Sequence, residues 1–163
     1  MASGAALAAW TAAGFEPPSS NYASFATFNL QPVLEFDASV DEAAFFSGIL
    51  PNHYGGGGLT VTILWAAATA TAGNCVWTCA IEAQPPAHPI GSASFASPST
   101  VTSACPGTAW LLVYAPIPFP SGASMDGLLA NQRFRFNITR DADAGTDTMT
   151  GDALLFAVYL TET

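Results

Sequence analysis

Leu59-Thr60-Val61-Thr62-Ile63-Leu64-Trp65 runs out of four consecutive glycines, Gly55–Gly58, and its alternation decides the fold. Leu59, Val61, Ile63 and Trp65 fall on one face, and Thr60, Thr62 and Leu64 on the other. A period of two is that of a β-strand with one face in a core. After the turn signal Ala72-Gly73-Asn74 comes a second β-compatible run, Cys75–Ile81, closed by Glu82. The short Gly-Asn turn predicts a hairpin joining the two runs.

Working outward, Pro32–Phe36 (PVLEF) and Ala43–Leu50 (AAFFSGIL) read as strands around the polar turn Asp37–Glu42. In Gln132–Thr139, Phe134, Phe136 and Ile138 alternate with Arg133, Arg135 and Asn137. Ala153–Leu160 places Leu154, Phe156, Val158 and Leu160 on one face, and these last two strands are expected to pair. Ala83–Met125 has no charged residue and holds eight of the twelve prolines. Proline cannot donate to a ladder, so this region is expected to be loops and edge strands. Ile90–Phe95 and Ser99–Ser103 read as brief strands, and Thr108–Ala115 (TAWLLVYA) as a central one. With about eight strands and no long helix, the expected class is an all-β, antiparallel two-sheet β-sandwich of jelly-roll type.

The N-terminus reads differently. Met1–Ala13 is alanine-rich and suggests one or two helical turns stopped by Gly14. Phe15–Ser20 contains Pro17-Pro18 and must be extended. Asn21–Leu30 carries Tyr22, Phe25 and Phe28. Residues 1–30 are therefore expected to form an extended arm with aromatic anchors, and residues 31–163 the sandwich domain.

Composition narrows the function. The 163 residues carry 12 acidic side chains, three arginines and no lysine, a formal net charge of −9. That balance argues against nucleic acid and against an anionic membrane surface. The uncharged stretch Gly55–Ile81 is broken by glycines and alternating threonines, so it is not expected to span a membrane. MASGAALAAW lacks a basic n-region, and the chain is expected to be soluble and made in a cytoplasm. Cys75 and Cys79 lie roughly 13 Å apart along one strand, beyond the about 7 Å a disulfide spans. Buried free thiols are expected, with Cys105 free to meet either only through the fold.

Motifs of chemistry are few. Asp141–Asp152 has the length and several acids of a calcium loop, but Gly145 stands where a ligand belongs and Thr146 where the turn needs glycine. A solvated hairpin loop eased by Arg140 is the expectation. Gly55–Gly58 precedes a strand and there is no lysine, so it is no phosphate cradle; positive φ in a tight loop explains it better. Glu35 with Asp37, and Asp41 with Glu42, flank a turn and read as surface rather than as a glycosidase pair. His53 beside Tyr54 stands alone, and Asn137-Ile138-Thr139 is a sequon without a secretory context. No catalytic residue, metal ligand or cofactor is expected.

Several stretches together resemble the small β-sandwich structural proteins of tailed bacteriophages, especially their capsid cement or head-decoration proteins. They are FEPPSSNYA (Phe15–Ala23), PVLEFD (Pro32–Asp37), PNHYGGGGLTV (Pro51–Val61), MDGL (Met125–Leu128), FRFNITRD (Phe134–Asp141) and TGDALL (Thr150–Leu155). The resemblance implies a jelly-roll homotrimer on the exterior of a virion capsid, clamping neighbouring copies of the major capsid protein. Binding only the assembled lattice would stabilise it by mass action, and three linked copies would add avidity. Contact with the capsid or a neighbouring copy would fall to Trp10, Phe15, Pro17, Pro18, Tyr22 and Phe25, and Gln84–Pro120 would pack in the trimer or on the shell. Deleting the residues before Asn21 would then spare the sandwich and weaken capsid binding. The alternative is a carbohydrate-binding sandwich in a tail or fibre, with Tyr54, Trp77, Trp110 and Tyr114 as its aromatics, Trp77 and Trp110 being expected in the core. A jelly-roll enzyme comes third, having no motif.

Overall fold

The structure, a computed structural model, describes residues 4–163. It is all-β, with ten strands: β1 Ala6–Thr11, β2 Ser24–Phe28, β3 Gln31–Phe36, β4 Glu42–Ile49, β5 Leu59–Ala67, β6 Asn74–Gln84, β7 Ser99–Ala104, β8 Val113–Phe119, β9 Arg133–Arg140 and β10 Ala153–Glu162. Two short 3-10 turns are the remaining helical elements among the described residues. One sheet runs β2-β3-β10-β5-β8 with β1 also on β10, and the other runs β4-β9-β6-β7. Every ladder is antiparallel.

The two inner faces meet in one core. Leu59, Val61, Ile63 and Trp65 of β5 face Trp77, Cys79 and Ile81 of β6, with Phe46, Phe134 and Phe136 completing it. Trp65 and Trp77 cross edge to face at 6.0 Å. Burying such rings supplies most of the drive to fold.

That contact also explains why the expected hairpin is absent. β5 and β6 lie in opposite sheets, so their chain connection crosses the sandwich. Likewise β9 pairs with β4 and β6, and β10 with β1, β3 and β5, not with each other. Alternation says which face is buried but not which strand lies alongside. The prolines fall where expected: β7 and β8 are edge strands, and Pro116 and Pro118 sit in β8. The brief strand at Ile90–Phe95 is not formed, and Thr108–Leu112 is loop, so the central strand expected at Thr108–Ala115 is replaced by an edge strand beginning at Val113.

The N-terminal segment is laid onto the sandwich. Of the helical turns expected over Met1–Ala13, residues 1–3 lie outside the described residues, and the rest of the stretch is taken largely by β1. β1 and β3 occupy the same side of β10, β3 at Ala153–Leu155 and β1 at Ala157–Thr161. β2 then makes a hairpin with β3. Between them Glu16 exchanges backbone hydrogen bonds with Phe45, which covers the free edge of β4.

Two of the four glycines owe their identity to close approach rather than to φ. A Cβ on Gly55 would lie 2.8 Å from Glu162 Oε1, and one on Gly58 2.8 Å from the Phe119 carbonyl. Gly56 alone of the four has positive φ, +90°. The loop wraps the Glu162 carboxylate, which accepts the Gly55 and Gly57 N–H groups at 2.8 and 3.3 Å.

Candidate functional site

The outer face of the larger sheet carries the candidate site. Tyr114 on β8, Leu64 on β5, Ala157 on β10 and Thr11 on β1 stand in one row across four strands. The β10 register shifts between Leu155 and Ala157, which makes Phe156 the extra residue beside this row. Bulges re-aim side chains in this way. A groove of about 880 Å³ runs here, lined by Thr11, Leu64, Phe156 and Ala157 on its floor, with a wall from two turns.

That wall begins with the β2–β3 turn. Asn29 (φ +46°) and Leu30 (φ +65°) both adopt left-handed geometry, the two-residue turn that matches strand twist. It places Phe28, Asn29 and Gln31 on the groove. Trp110, with φ +66°, adjoins this turn and continues the same wall. A bulky residue is rarely found at such a φ. Its backbone N–H donates to the Ala67 carbonyl at 3.0 Å, and its indole Nε1–H to the Ala68 carbonyl at 2.6 Å. Both acceptors lie at the end of β5, so the ring is fixed yet 63% exposed. It stands 6.0 Å from the Phe28 ring. Strained backbone held by its surroundings is typical of binding and catalytic positions.

The groove lining contains no titratable side chain. Its polar atoms are the Asn29 and Gln31 amides and the Thr11 hydroxyl. Such a surface can stack apolar ring faces and exchange neutral hydrogen bonds, and it has no general acid, base or nucleophile.

The aromatics named for carbohydrate binding divide. Trp110 and Tyr114 are exposed, whereas Trp77 is wholly buried and Tyr54 nearly so. The core placement expected for Trp110 is thus corrected, because its left-handed backbone and two hydrogen bonds turn the ring outward. Sequence reading named Phe28 only as an anchor of the N-terminal arm, and it did not single out Gln31 or Phe156 as site residues. Alternation groups Phe156 with Leu154, Val158 and Leu160 on one face, but the bulge divides them: Val158 and Leu160 face the core, whereas Leu154 and Phe156 do not; a bulge leaves no composition signal in this stretch.

The residues named for capsid contact are spread out. The Trp10 indole Nε1–H donates to the Ser47 carbonyl at 2.9 Å, and its ring packs edge-on to Phe134 and Phe136 at 5.9 and 5.7 Å. Phe15 stacks on Phe25 at 6.2 Å and also packs against the core. Pro17, Tyr22 and Phe25 are exposed, and Pro18 is half-buried.

Among the other candidates, Asp147 of the calcium-like loop is buried in an ion pair with Arg140, whereas Asp143, Gly145 and Thr146 are exposed; the loop joins strands of opposite sheets and so is not the hairpin expected. Asp41, Asp141 and Asp143 bring carboxylate oxygens within 4.8 Å of one another. Asp41 Oδ1 already accepts the Ala142 and Asp143 N–H groups. Asp37 accepts the Ser39 and Val40 N–H groups and Glu42 the Asp37 N–H, so these acids close the β3–β4 turn. Cys75, Cys79 and Cys105 are free thiols, and burial pushes all three upward in pKa, which leaves them poor nucleophiles.

No protein-family model matches the chain, and no curated protein matches its sequence. Solved structures do. The CBM22-1 xylan-binding domain of Paenibacillus barcinonensis Xyn10C aligns with a TM-score of 0.52 at 7% identity, covering 98% of this chain and 96% of that one. The family 11 carbohydrate-binding module of Clostridium thermocellum, solved with a β-1,3-1,4-mixed-linked tetrasaccharide, aligns at a TM-score of 0.46 and 10% identity, covering 96% and 88%. At such identities the likeness shows the β-sandwich fold alone.

Proposed function

We propose that this protein is a non-catalytic binding module that takes a neutral glycan across the outer face of its larger sheet. The observation that carries this reading is Trp110, an exposed indole locked in a left-handed conformation beside an uncharged, aromatic-walled groove. The face of a pyranose is a patch of polarised C–H bonds, which matches the negative face of an aromatic ring. Trp110, Phe28 and Phe156 supply ring surface, and the Asn29 and Gln31 amides supply donors and acceptors for hydroxyls. No carboxylate pair lines the groove, so hydrolysis has no acid and base there. Structural likeness to carbohydrate-binding modules agrees with this reading at the level of fold.

The test is titration with neutral oligosaccharides of xylan, cellulose and mixed-linkage glucan, followed by calorimetry and by tryptophan fluorescence. Saturable binding by at least one is expected, weakened tenfold or more in Trp110→Ala, since a centrally placed Trp carries a large share of binding energy. Absence of binding across the panel, or unchanged affinity in that variant, overturns it.

A capsid-decoration role is the second reading. What favours it is the exposed apolar run Trp110-Leu111-Leu112 with Tyr114 nearby, which suits a protein partner as well as a sugar. Its test is light scattering after size exclusion, alone and with expanded capsid shells. A trimer that co-elutes with shells supports it, and a monomer that ignores them removes it.

A further inference from the structure

The outer face of the smaller sheet holds a second pocket, of about 550 Å³, where the end of β6 meets the start of β9. Its lining includes Glu16, Gln84, His88, Ile90, Arg133 and Arg135. Two of the three arginines of an acid-rich chain are therefore in one place.

Their states differ. Arg135 is committed: Nη1 lies 3.2 Å from the buried Glu82 carboxylate, and its guanidinium sits over the rings of Phe45 and Phe95 at 4.8 and 5.5 Å. Arg140 is paired with Asp147 at 2.9 Å. Among the described residues, Arg133 is the arginine with no carboxylate at ion-pair distance. Its Nη2 donates to Ser47 Oγ at 3.2 Å, and Ser47 Oγ donates in turn to Glu16 Oε2 at 2.9 Å. The Gln84 Nε2 donates to Glu82, which fixes the amide and leaves its buried Oε1 without a donor. His88 Nε2 makes no hydrogen bond but lies 3.6 Å from Glu82 Oε1.

We propose that this pocket binds a carboxylate flanked by hydroxyls, the chemistry of a uronic acid unit or of a small hydroxy acid. The carboxylate pairs with Arg133, whose planar fork matches its two oxygens. A neighbouring hydroxyl donates to the Glu16 carboxylate, which lines the same pocket. Ile90, 85% exposed, offers an apolar wall to the ring. A dianionic phosphate fits less well, because Glu16 repels the extra charge. The site lies on the opposite sheet from the Trp110 groove and does not rest on it.

The experiment is calorimetric and NMR titration of the full chain with D-glucuronate, lactate and D-glucose at low salt. Saturable glucuronate binding is expected, tenfold or more tighter than any glucose effect. Arg133→Ala weakens it at least tenfold, Glu16→Gln weakens it less, and Trp110→Ala leaves it unchanged. Tighter glucuronate than lactate supports a saccharide as the source, and equal binding supports a free hydroxy acid. No glucuronate binding by the wild-type chain overturns the proposal, whatever the groove does. So does binding that a folded Arg133→Ala or Glu16→Gln variant retains in full.

Discussion

Arg140 Nη2 lies 2.9 Å from Asp147 Oδ1, with the two side chains 0% and 1% exposed. The guanidinium is fully used: Nε reaches Asp147 Oδ2 at 3.1 Å, Nη1 the Gly151 carbonyl at 2.8 Å, and Nη2 the Met149 carbonyl at 2.9 Å. Asp147 Oδ2 also accepts the Val76 N–H at 2.9 Å. The pair thus ties the β9–β10 loop to β6 across the end of the sandwich. Removing one partner leaves a buried charge uncompensated. Arg140→Met and Asp147→Asn are each expected to cost about 3–5 kcal/mol. The double variant should recover part of that loss, as urea denaturation of the two singles and the double will show.

Glu82 is a second buried charge with a pH signature. Burial pulls its pKa up, but the Ser94 N–H, Arg135, His88 and the Gln84 amide more than offset this and hold it below the ordinary carboxylate value. A depressed carboxylate pKa means stability that is present above the unfolded value, about 4.3, and lost as pH falls through the folded one. Glu82→Gln is expected to cost about 2 kcal/mol at neutral pH and to flatten the acid limb of the stability profile. Hydrogen exchange should also rise at Ser94, whose N–H donates to Glu82 at 2.6 Å. An unchanged acid limb contradicts the assignment.

Sequence made most strands from β3 onward legible, because side-chain alternation follows from covalent geometry and survives any partner choice; β1 and β2 lay in a stretch read as helical turns and an extended arm. Leu59–Trp65 and Phe134–Ile138 keep their inward faces as read. Pairing was not legible: Trp65 and Trp77 fit a hairpin and a two-sheet contact equally well by pattern. The groove was less legible still. Thr11, Phe28, Leu64, Trp110 and Phe156 come from five separate segments, and what aims them is backbone geometry. The apolar run Thr108–Ala115 reads as strand, and nothing in it marks the positive φ of Trp110.

Trp10 separates a structural from an interfacial role for the N-terminal segment. Its indole fills the space left by Gly48, where a Cβ would lie 2.9 Å from both Trp10 Cζ2 and Phe134 Cζ. Trp10→Ala opens that space and drops the hydrogen bond to Ser47. A loss of about 3 kcal/mol is expected. Deleting the residues before Asn21 removes β1 from β10 as well, so it should abolish cooperative unfolding rather than spare the sandwich. A truncated chain with the thermal midpoint of the full one contradicts this.

Asp141 carries the opposite sign to Glu82. Burial, its hydrogen bond with Asp143, and repulsion from Asp41, Asp143 and Asp147 raise its pKa. The folded state then holds this proton more tightly than the unfolded chain does. Stability is therefore lost as pH rises from the unfolded value, about 3.9, through the folded pKa, and the penalty persists above it. Asp141→Asn removes that penalty. It is expected to stabilise the protein at neutral pH by about 0.5 kcal/mol, kept small by solvent screening. The gain should shrink as pH falls through the folded pKa, because the wild-type carboxyl is then neutral too. Paired denaturation curves at neutral and acid pH check this, and a gain independent of pH would place its origin in the loop backbone instead.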